Sequence, residues 1–225
     1  MLLTCRAVIT ILWRDLLLDY RRRIEAGSAL VFSIAAAILT AYALSGFVAG
    51  SPASAEAIGT LLTAVFLSVY ASLSSFVREA DRGTLDGLRL APLPPIAIYT
   101  AKLIYTFILV FIEVLVYLLA LAFFAQTLSV LTPWFLGAVA ASILYLSAAS
   151  SFSSSILVYS EARGVLLPVT ILVLVLPFVY TVTPLLVSCL AGAVLGVWRI
   201  VSMSVIALGF TALVAGLSTF ILEAV

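Results

Sequence analysis

Few side chains of this sequence could carry out chemistry on their own. Its 225 residues include 10 acidic and 11 basic residues, two cysteines and no histidine. Histidine is the usual proton relay and a common metal ligand, so its absence removes these roles. Glu113 lies in an apolar run that contains no second carboxylate and no cysteine. We therefore expect no catalytic residue, no metal site and no cofactor bound by this chain.

Glu113 is the first candidate for a polar site inside an apolar segment. A carboxylate at membrane depth is costly, and such residues often serve a function. Tyr117 lies one helical turn further along and could be its hydrogen-bond partner. Ser147, Ser151 and Ser155 share one face of a serine-rich helix. These groups either line a pathway or hold helices together by close small-residue packing, and both interpretations stay open.

The elements that carry these residues are predicted from composition. The chain is 65% hydrophobic and only 9% charged, whereas soluble domains carry about 25% charged residues. This predicts an all-α polytopic membrane protein with a single transmembrane domain over 1–225, embedded in a lipid bilayer. The net charge of +1 gives no indication of a nucleic-acid partner.

Residues 4–25 are predicted to form a helix lying on the membrane surface. Apolar residues recur at helical spacing on one side, and arginines fall mainly on the other. The predicted surface anchors are Trp13, Arg21, Arg22 and Arg23. The alternative is a cytosolic helix that packs on a partner protein.

Six membrane spans are predicted after this helix, because each apolar run has roughly 20 residues or more. They lie at about 28–49, 57–77, 96–125, 133–158, 164–183 and 200–222. The connection 184–199 is apolar and contains Pro184, Gly192 and Gly196. It is predicted to be a re-entrant segment that dips into the membrane before span six.

The basic residues predict the orientation. The segments before span one, after span two and after span four hold nearly all of them, and the opposite side has only Arg199. The positive-inside rule therefore places both termini and the loop 78–95 in the cytoplasm of a plasma (inner) membrane.

The loop 78–95 is predicted to contain a short helix between two breaks. Gly83 ends the preceding helix, Thr84 can cap the next one, and Asp86 favours a helix start. Leu85 and Leu88 give the short helix an apolar edge. Either this edge docks a partner protein or the helix rests against lipid headgroups.

The same loop resembles that of the CcmB family, the haem exporter B permeases of cytochrome c maturation. The family pattern F-x-x-[DE]-x-D-x-G-[ST]-L-[DE]-x-L-x-L-x-P-L-P is met by Phe76, Glu79, Asp81, Gly83, Thr84, Leu85, Asp86, Leu88, Leu90, Pro92, Leu93 and Pro94. The stretches Trp13 to Arg23 and Leu174 to Phe178, with Ala101-Lys102, are also similar.

The resemblance implies an ABC-2-type permease fold with an N-terminal interfacial elbow helix, a cytoplasmic coupling helix between spans two and three, and a re-entrant segment before span six. It also implies a permease homodimer, a separate ABC ATPase subunit that binds ATP, a haem-handling membrane protein and a small single-span subunit. The implied contacts with the ATPase are Glu79, Asp81, Arg82, Gly83, Thr84, Leu85, Asp86, Leu88 and Arg89.

In this interpretation the chain is no enzyme: it couples ATP hydrolysis in a partner to haem transfer or to release of a haem-loaded chaperone. The chain itself lacks G-x-x-x-x-G-K-[ST], so a partner must bind ATP. Two alternatives stay open. One is an ABC-2 permease that exports a lipid, peptide or drug, and the other is a membrane scaffold without a transport cycle.

Overall fold

The computed structural model describes residues 2–21, 23–45, 51–74, 78–81, 83, 94–157, 160, 162–191 and 196–224, with side chains for most of them. The regular elements in these ranges are helical. They are α1 (Leu2–Arg21), α2 (Arg23–Leu44), α3 (Pro52–Ser72), the short α4 (Arg78–Asp81), α5 (Pro95–Ala125), a 3-10 turn (Ser129–Leu131), α6 (Pro133–Leu157), α7 (Arg163–Leu190) and α8 (Gly196–Ala224).

The helix boundaries follow local chemistry. Ser51 caps α3: its side chain accepts a hydrogen bond from the Ser54 N–H at 3.4 Å, and Pro52 occupies the first turn. Proline is tolerated there because the first-turn N–H groups have no partner within the helix. The left-handed backbone of Gln126, with φ 53°, ends α5.

Five helices are long and apolar enough to cross a membrane, in agreement with five of the six predicted spans. They are Ala26–Leu44, Pro52–Ser72, Ile96–Ala125, Pro133–Leu157 and Gly164–Leu190. The sixth predicted span, 200–222, lies within α8, whose described apolar stretch covers Val201–Leu217. That span stays a prediction.

The N-terminal boundaries differ from the predicted ones. α1 ends at Arg21 and α2 begins at Arg23, so residues 23–25 belong to α2 rather than to the predicted surface helix 4–25. Similarly, α3 begins at Pro52, five residues before the predicted start of span two. This earlier start brings Glu56 into the helix.

The boundary predicted between span five and the re-entrant segment 184–199 differs from the structure, and the re-entrant path itself stays a prediction. α7 continues through Pro184 to Leu190, and α8 begins at Gly196, while 192–195 lie outside the described residues. α7 contains three internal prolines at positions 168, 177 and 184. Membrane helices tolerate such prolines because neighbouring groups can satisfy the freed backbone carbonyls. The proline at 184 was therefore not a reliable sign of a break.

α6 is the central helix of the bundle and contacts α3, α5, α7 and α8. Buried residues make up 72% of its membrane-spanning window, against 22–44% for the other four spanning helices. Its serines allow this close packing because they are small. Tyr145 adds aromatic contacts, with its ring stacked 3.8 Å from that of Phe178 and 4.3 Å from that of Phe210.

The helices alternate in direction, which defines two ends of the bundle. The charged end holds the C-terminus of α3, the short α4 and the N-terminus of α5. The opposite end holds the N-terminus of α3, the C-terminus of α5 and the 3-10 turn. With 31 residues, α5 is about 45 Å long and exceeds the hydrocarbon core of roughly 30 Å.

Candidate functional site

A group of charged and polar side chains joins three helices at the charged end. We call it the charged junction, and it consists of Arg14, Asp15 and Asp19 of α1, Arg78 and Glu79 of α4, and Lys102 and Tyr105 of α5. The residues that pair across the three helices are 23 to 87 positions apart. Only the fold brings them together.

Lys102 is the centre of the charged junction. Its Nζ donates to Asp15 Oδ2 at 2.7 Å and lies 2.9 Å from Glu79 Oε1. The side chains of Lys102 and Asp15 are only 2% and 7% exposed. A buried charge is tolerated only where it is paired and hydrogen-bonded, so this lysine and its two carboxylates depend on one another.

Arg14 adds a second cation at the edge of the junction. Its guanidinium donates to Asp15 Oδ1 at 2.9 Å and also contacts Glu79. Burial by itself lowers the pKa of Arg14, but the neighbouring carboxylates of Asp15 and Glu79 outweigh burial and leave that pKa raised. Arg14 is therefore a permanent positive charge beside Lys102.

Asp19 makes a parallel set of contacts one turn further along α1. Arg78 Nη1 donates to Asp19 Oδ1 at 2.8 Å, and the hydroxyl of Tyr105 donates to Asp19 Oδ2. Hydrogen bonds to ionised groups are among the stronger ones in proteins. α1 is thus bound to α4 and α5 at two successive levels.

The charged junction links α4 to both α1 and α5. In the chain, α4 follows α3 closely and precedes the segment 84–93, which leads into α5. Separating a buried ion pair is strongly unfavourable. Moving α4 together with α1 and α5 is therefore less costly than moving α4 away from them.

Most of the predicted ATPase contacts cannot be placed. Arg82, Thr84, Leu85, Asp86, Leu88 and Arg89 lie outside the described residues, as does the side chain of Asp81. Gly83 is exposed and has a φ of +66°, a left-handed conformation that glycine adopts readily. This supports the predicted break at Gly83.

Glu79 takes part in contacts within the chain. Its side chain is 12% exposed and faces Lys102 and Arg14 inside the charged junction. These ion pairs bind α4 to α1 and α5, and contact of Glu79 with an ATPase subunit stays a prediction. The predicted surface anchors Trp13, Arg21 and Arg23 are exposed on α1 and α2, and Arg22 lies outside the described residues. Their contact with lipid stays a prediction.

The predicted pairing of Glu113 with Tyr117 is wrong. The hydroxyl of Tyr117 instead donates to Thr40 Oγ1 at 3.1 Å. Glu113 is 6% exposed, and its Oε2 is buried without a hydrogen-bond partner among the described residues. It lines a cavity between α1, α2, α3 and α5 that also includes Asp19.

The serines of α6 are not among the residues that line the cavity beside Glu113. Ser147 Oγ donates to the Leu144 carbonyl of its own helix at 3.0 Å, and Ser151 Oγ donates to Thr106 Oγ1 at 3.4 Å. Both side chains are fully buried. This arrangement favours helix packing over a pathway lining, and it separates the serines from Glu113.

A further buried carboxylate, Glu56, lies at the opposite end and was not predicted from the sequence. Glu56 is 3% exposed and accepts hydrogen bonds from Thr127 Oγ1 at 3.3 Å and Ser129 Oγ at 3.2 Å. We call these three residues the Glu56 cluster. Placing the start of the helix at Pro52 would have identified Glu56 as an ionisable residue of a span.

Within the described ranges, no three acidic or cysteine side chains lie close enough together to hold a metal ion.

Comparison with protein families agrees with this architecture. Comparison with curated proteins gives no match. A family model described as the ABC-2 type transporter matches residues 6–189, which includes α1 and nearly all of α7. Members of this family are membrane components that work with a partner ATPase subunit. The chain belongs to the ABC-2 type transporter family and is the membrane permease component of an ABC transporter.

Proposed function

We propose that this chain is the permease subunit of a haem-exporter-type ABC complex that acts in cytochrome c maturation. The observation that carries the proposal is the loop pattern between Phe76 and Pro94, which resembles that of the CcmB permeases. Membership of the ABC-2 family supports the general role as a permease. The charged junction supports a mechanical connection between this loop and the membrane helices.

In the proposed mechanism, the loop 78–95 docks on the ATPase through Leu85 and Leu88. Closure of the ATPase subunits on ATP displaces the loop and α4 with it. Because Arg78 and Glu79 pair with residues of α1 and α5, the displacement passes to both helices. The permease contributes no catalytic residue to ATP hydrolysis, and its work is conformational.

The chain has no histidine, so any haem ligation falls to another subunit. ATP hydrolysis then drives either haem transfer or the release of a haem-loaded chaperone. We propose that the complex contains two copies of this permease, the ATPase, a haem-handling membrane protein and a small single-span subunit. It lies in the plasma (inner) membrane with both permease termini in the cytoplasm.

One observation favours a second candidate, an ABC-2 permease for a lipid or another apolar cargo. A groove of about 230 Å³ runs between α3 and α7, and its lining is aliphatic apart from Thr183. Its side chains include Ile58, Leu62 and Leu176, which are exposed. A scaffold without a transport cycle is less well supported, because family membership points to a permease.

The docking step is tested by measuring how the purified permease stimulates its ATPase. The double variant Leu85→Asp/Leu88→Asp places two charges on the proposed docking edge, and we expect it to abolish binding and stimulation. Leu128→Asp is the matched control, since Leu128 is 77% exposed at the opposite end of the bundle. Full stimulation by the double variant would contradict the docking assignment.

The cargo is tested in cells that lack this chain. The haem-exporter proposal predicts loss of covalently bound haem in c-type cytochromes and its recovery with the intact chain. It also predicts that a haem-handling membrane protein co-purifies with the permease. Normal cytochrome c maturation in the deletion strain would exclude this proposal and leave the second candidate.

A further inference from the structure

The cavity beside Glu113 has the features of a binding site. Its volume is about 250 Å³, whereas one water occupies about 30 Å³ of liquid. Three of its rim residues, Tyr20, Leu30 and Ile112, are 78%, 38% and 54% exposed. In a membrane these exposed apolar side chains face the lipid, so the mouth of the cavity opens toward the bilayer.

The carboxylate of Glu113 lines this cavity and pairs with no cation among the described residues. Glu113 Oε2 is buried and has no partner in the part of the chain that the structure describes. Asp19 lines the same cavity, but its carboxylate already accepts from Arg78 and Tyr105. An unsatisfied carboxylate oxygen in a buried site is strongly unfavourable, so the missing partner belongs to Glu113.

The chemistry of the site selects the missing partner. A primary ammonium brings a positive charge and three N–H donors, which suit the two carboxylates. Phosphate or carboxylate groups alone would be repelled by Asp19 and Glu113, and the quaternary ammonium of choline has no N–H. Access from the bilayer further requires an apolar tail.

We propose that this cavity binds a membrane lipid with a primary ammonium headgroup, of the phosphatidylethanolamine type, whose ammonium pairs with the carboxylate of Glu113. The inference is independent of the proposed cargo, since the anionic propionates of haem do not suit this floor. Because Asp19 belongs to both the cavity and the charged junction, the bound lipid lies directly beside the link between α1, α4 and α5. Lipid binding therefore stabilises the arrangement in which these helices are joined.

The test measures lipid binding to the delipidated full-length chain in detergent by native mass spectrometry. The probes are phosphatidylethanolamine, phosphatidylcholine and phosphatidylglycerol with identical acyl chains. We expect the ethanolamine lipid to bind about tenfold more tightly than the other two, as one charge-assisted hydrogen bond allows. Equal binding of the three lipids would overturn the proposal.

Variants locate the site. Glu113→Gln should remove the preference for the ethanolamine lipid, whereas Glu56→Gln, at a buried carboxylate with two hydroxyl partners, should keep it. Leu30→Trp should block the mouth without removing a carboxylate, and its control is Ile38→Trp on the outer surface of the same helix. Retained preference in both Glu113→Gln and Leu30→Trp would overturn the proposal.

A soluble probe separates the lipid from a free amine. Ethanolamine has the same ammonium without an acyl chain, and we expect it not to displace the bound lipid at millimolar concentration. Displacement by ethanolamine at the concentration of the lipid itself would show that the site recognises free amines and contradict lipid binding.

Discussion

The two ends of the helical bundle are held together by different chemistry. At the charged end, Lys102 pairs with carboxylates from two other helices and is nearly inaccessible to solvent. At the opposite end, Glu56 is also buried, but it accepts from two neutral hydroxyls of the chain that links α5 to α6. The charged junction therefore depends on mutual neutralisation, whereas the Glu56 cluster depends on hydrogen bonds alone.

This difference has consequences for movement. Ion pairs join α1, α4 and α5, three helices from separate parts of the chain, and in the proposed mechanism they pass on a displacement of the loop 78–95. The Glu56 cluster binds the N-terminal part of α3 to the residues that follow the C-terminus of α5. α5 is thus held at both ends, and the strength of each attachment can be measured separately.

The largest expected effect comes from removing the central cation. Lys102→Met leaves Asp15 and Glu79 buried with the partly exposed Arg14 as their remaining cation, so we expect the free energy of unfolding to fall by about 3–5 kcal/mol. Denaturant titration of the purified chain in detergent measures the change. Adding Asp15→Asn to Lys102→Met should recover part of the loss, since Arg14 then has only the carboxylate of Glu79 to neutralise. A loss below about 1 kcal/mol would mean that the junction is open to solvent.

At the opposite end, Glu56→Ala should cost about 1.5–3 kcal/mol, the range for hydrogen bonds to charged groups. The reason is that the hydroxyls of Thr127 and Ser129 lose their acceptor. Glu56→Gln keeps an acceptor oxygen and should cost clearly less. Equal losses in the two variants would show that the charge of Glu56, rather than its hydrogen bonds, stabilises this end.

A smaller effect is expected from Gly59→Ala, next to the pair formed by Tyr117 and Thr40. An added Cβ would lie 2.7 Å from Thr40 Cγ2 and 2.9 Å from the Tyr117 hydroxyl. Both are side-chain atoms that can shift, so we expect a cost of about 1–2 kcal/mol from overpacking.

The control for Gly59→Ala is Gly137→Ala in α6. An added Cβ there meets nothing within 4 Å, and alanine has the higher helix propensity. We expect Gly137→Ala to leave the unfolding midpoint unchanged or slightly raised. Destabilisation of both variants to the same extent would remove the evidence for a tight contact at Gly59.

The smallest expected effect is that of Arg14→Ala at the edge of the charged junction. The Arg14 side chain is 41% exposed, and Lys102 still neutralises its partners. Partly exposed ion pairs contribute about 0–1 kcal/mol, and we expect a loss in that range that shrinks further at high salt. A loss as large as that of Lys102→Met would show that Arg14 and Lys102 contribute equally to the stability of the charged junction, contrary to this prediction.

The prediction of helices succeeded where length and apolarity alone decide the structure. Five long apolar runs correspond to five spanning helices, because the backbone must satisfy its hydrogen bonds internally in lipid. Prediction failed at Pro184, where a local helix-breaking signal lies within the continuous α7. It also missed Glu56, since a boundary error of five residues assigned this carboxylate to a loop.

The candidate site was predicted only in part. Glu113 was recognised because a carboxylate in an apolar run is conspicuous, but its assigned partner Tyr117 bonds Thr40 instead. Glu79 was recognised as part of a loop pattern, and the structure directs it inward to Lys102. Sequence spacing gives the face of one helix and says nothing about which other helix lies against it.

The sequence by itself determined the membrane class of this protein, its helical segments and the family pattern of its loop, because these depend on composition and local order. Only the tertiary structure decided which charges meet. Asp15, Glu79 and Lys102 come from three separate helices, and their pairing follows from how those helices pack. Burial then makes the choice of partner decisive, since in a low-dielectric interior each charge is stable only beside its opposite.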